Sequence, residues 1–304
     1  MKTMRFYLSI LILISVLFFH EIGGAQTLET QPDIQFLKKK LRQKKFGAKF
    51  SADILKVYEM DTFSSVLKLN MLGFLNPPQH SVLVTDEGVI KSEEFIVKNK
   101  AIFNRIEKRD HVQPSVIASL LWVETKHGKL TGRYHVASVF LHLIQATRND
   151  VLQDLTAIAI ESEKTKTKPM KGLKKLMVAR ATRKSDWAFD QLKALEKMYK
   201  KDRKMLLELQ GSFAGAFGIP QFIPTSYFTY AKPLVKNAVA DLYTPEDAIS
   251  SVSNYLKKTG WRPRQRKFKK KALMHYNNSE DYAESILELS ARMLSNRQNK
   301  QNSK

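Results

Sequence analysis

The sequence predicts a mainly α protein, and three observations carry that expectation. Apolar residues recur at spacings of three and four along seven segments. Prolines and glycines fall where helices begin and end rather than inside them. Strand-like and helical stretches do not alternate, and there is no internal repeat.

In chain order, residues 1–25 read as a signal peptide: Lys2 and Arg5 precede an apolar run over 6–19, followed by Gly23, Gly24 and Ala25. The run is short for a membrane span, so export without a transmembrane anchor is expected. A basic N-terminal segment (26–52) carries the lysine run at 38–45. A large helical domain is assigned to 53–298, with helices over 53–75, 92–109, 114–127, 136–147, 187–208, 245–258 and 279–294. Pro114 and Pro245 suit first-turn positions, Thr244 is a candidate N-cap, and Gly128 and Gly260 suit left-handed terminators. Residues 81–85 (SVLVT) look like one short strand. Residues 164–184 are weakly patterned and read as a basic insertion or flexible excursion, and 299–304 as a polar tail.

Composition narrows the function. The chain has 304 residues, 43% hydrophobic, enough for one large domain or two modest ones. It has no cysteine, which excludes disulfides, thiolate metal sites and a lipidated N-terminal cysteine. Lys and Arg number 51 against 29 acids, a net charge of +22. Such a surface attracts polyanions. Export directs that attraction toward cell-wall polymers rather than nucleic acid. The basic runs at 38–45, 164–184 and 262–271 each read as a solvated face, and together as flanks of one anionic partner.

Three segments carry chemistry. In 112–128 (VQPSVIASLLWVETKHG) the stripe Ile117, Leu120, Leu121 continues to Glu124. A carboxyl on an apolar face is costly to ionise, so its pKa rises and it holds a proton for general acid work. Alternatively the face ends at Val123 and Glu124 is solvated at its rim. His127, one turn on, is either a partner of Glu124 or an exposed helix-end residue. The second segment, 211–227 (GSFAGAFGIPQFIPTSY), combines small residues, two prolines, four aromatics and the isolated polar groups Ser212 and Gln221. That composition suits a sugar groove or a tight helix crossing. The third, 272–282 (ALMHYNNSEDY), contains the phenol–amide pair Tyr276 and Asn277, either a site pair or a surface turn.

These segments in this order, with PEDAISSVSNYLKKTGW, resemble the membrane-bound lytic transglycosylase B family, glycoside hydrolase family 103. The resemblance spans roughly 53–291, apart from 164–184. It implies a lysozyme-like catalytic domain that cleaves peptidoglycan between N-acetylmuramic acid and N-acetylglucosamine and forms a 1,6-anhydro-muramyl end. The family's catalytic glutamate falls on Glu124, acting as acid and then base. Its cleft and supporting positions fall on Ser212, Gln221, Tyr255, Tyr276 and Asn277. No second acid accompanies these motifs, which favours transglycosylation over two-carboxylate hydrolysis, although folding could bring Asp86, Glu93 or Asp247 close.

The sequence departs from the family in three places. The stretch matching the family's calcium loop, 232–243 (KPLVKNAVADLY), keeps Asp241 but has Pro233, Val235 and Asn237 where acids are expected, so no metal and no other cofactor is expected. The family's arginine pair is matched to Arg148–Asn149, so an amide stands in place of its second cation. Glu124 and Ser212 are further apart than usual, with the excess near 164–184. The expected partners are peptidoglycan glycan strands and anionic wall polymers, not nucleic acid, and the expected state is a monomer, periplasmic or secreted. A water-admitting muramidase, a weakly active wall-binding protein and a basic nucleic-acid binder are the competing readings.

Overall fold

The computed structural model describes residues 28–164, 166, 170–236 and 238–302. The expected signal peptide lies outside the described residues. The chain forms fourteen α-helices among the described residues: α1 (Ile34–Gln43), α2 (Ala48–Lys56), α3 (Phe63–Leu72), α4 (Asp86–Lys98), α5 (Lys100–Asp110), α6 (Pro114–Thr125), α7 (Val136–Gln145), α8 (Asn149–Lys164), α9 (Leu173–Lys201), α10 (Arg203–Leu207), α11 (Pro224–Tyr230), α12 (Pro245–Lys258), α13 (Arg266–Tyr276) and α14 (Glu280–Asn302). Two-residue strands β1 (Tyr134–His135) and β2 (Gln210–Gly211) pair antiparallel. A two-residue ladder has no periodicity, so pattern reading could not find it.

The centre of the fold is α6. Every residue from Ser115 to Thr125 is buried, so it is a core helix rather than an amphipathic surface helix. α4 and α14 flank it. Gly88 of α4 lies so close that a Cβ there would be 2.8 Å from Trp122 Nε1 and 3.3 Å from Leu289 of α14. Ser115 and Ser290 share a 2.7 Å hydrogen bond between α6 and α14. α6 begins at Pro114 and ends earlier than expected, at Thr125: the left-handed residue that caps it is Lys126, and His127 and the expected terminator Gly128 continue the left-handed run. Thr244 caps α12 before Pro245, also as expected.

Several helical boundaries differ from expectation. The expected helix over 53–75 is broken after Lys56 by three non-helical residues and a 3₁₀ turn (Met60–Thr62). The break is held by a buried network: Tyr58 and Thr62 bond the two ring nitrogens of His142 at 2.8 and 2.9 Å, and Gln145 donates to Tyr58 at 2.8 Å. The helix over 92–109 is two helices, joined at Asn99. The strand expected at 81–85 is instead a 3₁₀ turn (His80–Leu83) leading into α4. Asp281 accepts the amides of His80 and Ser81, and Thr85 caps α4 through Gly88, so these groups have side-chain partners and no strand neighbour. The 29-residue α9 begins fourteen residues before its expected start at 187 and takes in 173–184. Its buried stripe Leu173, Met177, Ala181 is followed by Lys184, which is itself buried and conceals the apolar pattern. The basic run at 38–45 lies mostly on α1, with Leu37 and Leu41 in the core and its lysines outward.

Candidate active site

The site is built where α6, α14, α13 and the glycine-rich loop meet. Glu124, near the end of α6, is 3% exposed, which excludes a position at a solvated rim. Its carboxyl is pushed up to about 8 by burial, with one hydrogen bond acting the other way: the Tyr282 hydroxyl donates to Oε1 at 2.5 Å. With Oε1 accepting from Tyr282, the acidic proton of the neutral carboxyl belongs on Oε2, the oxygen free to deliver it. Tyr282 carries no signal in the sequence that would mark it for the site. It sits six residues after Tyr276 at the start of α14, and only the turn between α13 and α14 brings both phenols to Glu124.

Tyr276 is buried beside Glu124, and its own hydroxyl donates to the Pro220 carbonyl, tying α13 to the glycine-rich loop. Burial, with the Glu124 charge next, raises both phenols well above their ordinary value, so both remain proton donors. Tyr276 lies parallel to Tyr282 at 6.4 Å and 4.6 Å from the Tyr255 ring. Tyr255 donates to the His275 carbonyl at 2.8 Å, and Phe222 packs on both Tyr255 and Tyr276. Asn277 is buried at the C-cap of α13, directly beyond Tyr276. Tyr276 therefore lies beside the glutamate, with Tyr255 packed on its ring and Asn277 following it in the chain.

The glycine-rich loop is fixed from within. Ser212 is buried, and its Oγ accepts the amides of Ala214 and Ala216, both at 3.3 Å, leaving its own proton as the group it can offer. Gly215 has φ +74, and a Cβ there would fall 2.3 Å from Phe140, so only glycine fits. Gln221 adopts left-handed backbone (φ 52) and donates from Nε2 to Gly218 O at 2.7 Å and Thr131 O at 3.0 Å. Its buried Oε1 has no partner among the described residues, which leaves an acceptor for a hydroxyl or amide of a ligand. Thr125, next to Glu124, donates to Ile219 O at 2.8 Å, locking helix and loop together.

Other expectations change. His127 neither pairs with Glu124 nor sits exposed: it bonds the Ala118 carbonyl at 2.9 Å and stacks on Phe95 at 4.3 Å, and burial lowers its pKa to about 4. Arg148 does not reach the glycine-rich loop, being bound to Asp150, Gln145 and the Gln31 carbonyl. The cation tied to that loop is Lys184, whose Nζ meets Asn70 Oδ1 at 3.1 Å, while Asn70 donates to Phe213 O at 2.7 Å. Lys184 has no carboxylate partner among the described residues, and burial with nearby Arg180 lowers it to about 7. Of the acids that folding could have brought close, Asp86 is exposed near Arg292 and Asp247 binds the amides of Leu234 and Asp241. Glu124's raised pKa has burial as its cause, with no carboxylate contribution among the described residues. In the loop at 232–243, its one acid Asp241 accepts the Tyr243 amide at 2.9 Å.

Comparisons with known proteins agree with this fold. The profile of the Transglycosylase SLT domain family matches residues 35–270, beginning within α1. Membrane-bound lytic murein transglycosylase B of Escherichia coli is 27% identical over 178 residues, covering 59% of this chain and 40% of that protein. This chain therefore matches less than half of that relative's length. The fold is similar to the Escherichia coli lytic transglycosylase Slt35 solved with bulgecin A (TM-score 0.64, 20% identity, 89% of this chain and 97% of that one). It is also similar to catenated lytic transglycosylase SltB1 of Pseudomonas aeruginosa (TM-score 0.64, 17% identity, 91% and 99%). SltB3 of Pseudomonas aeruginosa, solved with NAG-NAM-pentapeptide, matches at TM-score 0.60 and 15% identity over 85% of this chain and 78% of that one. The buried glutamate, the rigid small-residue loop and a match over most of the chain lead to one assignment: the chain belongs to the Transglycosylase SLT domain family.

Proposed function

We propose that the protein is a peptidoglycan lytic transglycosylase cleaving the β-1,4 bond between N-acetylmuramic acid and N-acetylglucosamine. The observation that carries this reading is Glu124: buried, protonated near neutral pH, held by Tyr282, with no second carboxylate acting on it. Its Oε2 proton passes to the glycosidic oxygen as the bond to the anomeric carbon breaks. The resulting carboxylate then takes the proton of the muramyl C6 hydroxyl, whose oxygen bonds to the anomeric carbon. The glutamate is restored and a 1,6-anhydro end is left. Attack within the same sugar gains from proximity and uses no water. The substrate's 2-acetamido group relieves charge at the anomeric carbon, a task that the second carboxylate performs in ordinary glycosidases. Gln221 Oε1 and the Ser212 proton are placed to orient hydroxyls or amides of the sugars. SltB3's complex with NAG-NAM-pentapeptide supports this substrate class.

The protein is exported to the periplasm or beyond and works there without calcium. The loop at 232–243 offers a single acid, Asp241, which accepts a backbone amide, and Asp247 of the following helix α12 is likewise bound to backbone amides. Mass spectrometry of digested sacculi tests the reaction. Anhydro-muramyl ends are expected, whereas reducing muramic ends identify a muramidase, and intact glycan identifies a wall-binding protein. A calcium-dependent rise in melting temperature that Asp241→Asn abolishes contradicts the metal-free reading.

A further inference from the structure

We infer that the cationic surface formed by the end of α12, the loop after it and the start of α13 is a docking track for the acidic peptide branches of peptidoglycan. This proposal rests on the substrate reading above. Residues 257–271 contain nine Lys or Arg and no acid. Two of the nine are neutralised from α14, Arg266 by Glu284 and Lys270 by Glu280 and Glu284, and Lys257 lies 3.2 Å from Asp110. Arg262, Arg264, Lys267 and Lys271 are exposed and have no carboxylate partner among the described residues.

The surface is ordered rather than a loose tail. Arg262 lies over the Phe268 ring at 4.1 Å and Lys269 over Trp261 at 5.6 Å, while Gln113, at the start of the catalytic helix, donates to the Pro263 carbonyl. Like charges crowd it. Beyond the effect of burial, Arg109, Lys257 and Lys258 depress neighbouring Lys232 against the opposing pull of Asp110, and Arg266 depresses Lys269. A fixed surface that repels itself is relieved when a polyanion settles on it.

Its position chooses among polyanions. α13 starts in this surface and ends at Tyr276, which packs beside Glu124. Lys267 and Tyr276 are nine residues apart on that helix, about 14 Å at the α-helical rise. A polymer threaded through the cleft therefore meets the cations with its neighbouring repeats. Peptidoglycan carries carboxylates on peptide branches at every muramic acid, which gives one polymer both the sugar for the cleft and the anions for the track. Nucleic acid and anionic lipid match the charge but have nothing to place in a sugar cleft.

The test uses the full chain with Arg262, Arg264, Lys267 and Lys271 all changed to Gln, alongside a variant with R262K and R264K only. Co-sedimentation is measured with intact sacculi and with sacculi stripped of peptide by an amidase. Salt is varied from about 0.05 M to about 0.5 M, a range over which screening removes exposed charge interactions. At low salt the Gln variant should bind intact sacculi about tenfold more weakly than the parent, a difference that closes at high salt and on stripped glycan. The Lys variant should bind like the parent, and all three proteins should melt alike and release anhydro ends from short peptide-free glycan at equal rates. Equal binding of parent and Gln variant to intact sacculi overturns the proposal, as does an equal loss on stripped glycan. A loss confined to duplex DNA or anionic vesicles also overturns it. If the parent releases no anhydro ends from the short glycan, the catalytic reading fails while the binding comparison still judges the track.

Discussion

Replacing Glu124 by Gln should stabilise the protein as pH rises, while abolishing its activity. In the unfolded chain Glu124 ionises above its ordinary value of 4.5, whereas burial keeps it protonated in the native state up to about 8. Between those values the native state binds more protons than the unfolded one, so stability falls as pH rises and levels off above the native value. At about 1.4 kcal/mol per pH unit, the cost is about 3 kcal/mol at pH 7 and approaches about 5 kcal/mol above pH 8. Glutamine keeps the shape and still accepts the Tyr282 hydrogen bond, but cannot ionise. Urea denaturation of parent and Glu124→Gln at matched pH values therefore gives curves that nearly coincide near pH 4.5 and separate steadily, the variant ahead by about 3 kcal/mol at neutrality. All other groups are common to both proteins and cancel. Activity of the parent on sacculi should fall on the alkaline side with an apparent pKa of about 8. Stability curves that stay parallel from pH 4.5 to pH 8 refute the reasoning, because they mean that Glu124 is already ionised in the native state.

Tyr282→Phe removes the one hydrogen bond that favours ionised Glu124, so the alkaline limb should move upward. Turnover should drop roughly tenfold or more, in line with about 1.5–3 kcal/mol for a hydrogen bond to a charged group, and a downward shift of the limb contradicts the assignment. Asn70→Ala leaves the Phe213 carbonyl and the Lys184 ammonium without their buried partner. It should cost about 2–4 kcal/mol in chemical denaturation, and an unchanged midpoint contradicts that role. Burial depresses His142 to about 3, so the native state binds fewer protons than the unfolded chain below the ordinary value of 6.5, and stability falls as pH falls. The expected loss at pH 5 is about 2 kcal/mol from this ring alone. NMR should show its resonances as those of neutral imidazole down to about pH 4, and titration near 6.5 contradicts the burial argument.

Much of the site was legible because its residues are clustered in the chain. The stripe from Ile117 to Glu124, the small residues from Gly211 to Gly218 and the Tyr276–Asn277 pair each sit within one segment, and local spacing or side-chain type marks them. Tyr282 was not legible, because nothing in ALMHYNNSEDY distinguishes a second phenol until α14 turns back over α6. Nor was Lys184 as an interior cation, since a lysine among lysines reads as solvated surface. The same mixture hid the first three turns of α9. The short apolar run at 81–85 misled for a related reason: strand propensity is local, but a strand needs an edge to pair with, and Asp281 and Thr85 provide other hydrogen-bond partners.

The sequence by itself determined the helical class, many of the helix positions, the Thr244 cap and the carboxyl on the apolar stripe of α6, because these follow from periodicity and residue chemistry within a few turns. Only the tertiary structure decided that the acid is fully enclosed, that a tyrosine 158 residues away holds one of its oxygens, and that no carboxylate among the described residues joins it. Those properties depend on what the other helices place around Glu124. A pKa is set by the medium and charges surrounding a group in space, and distance along the chain carries no information about either.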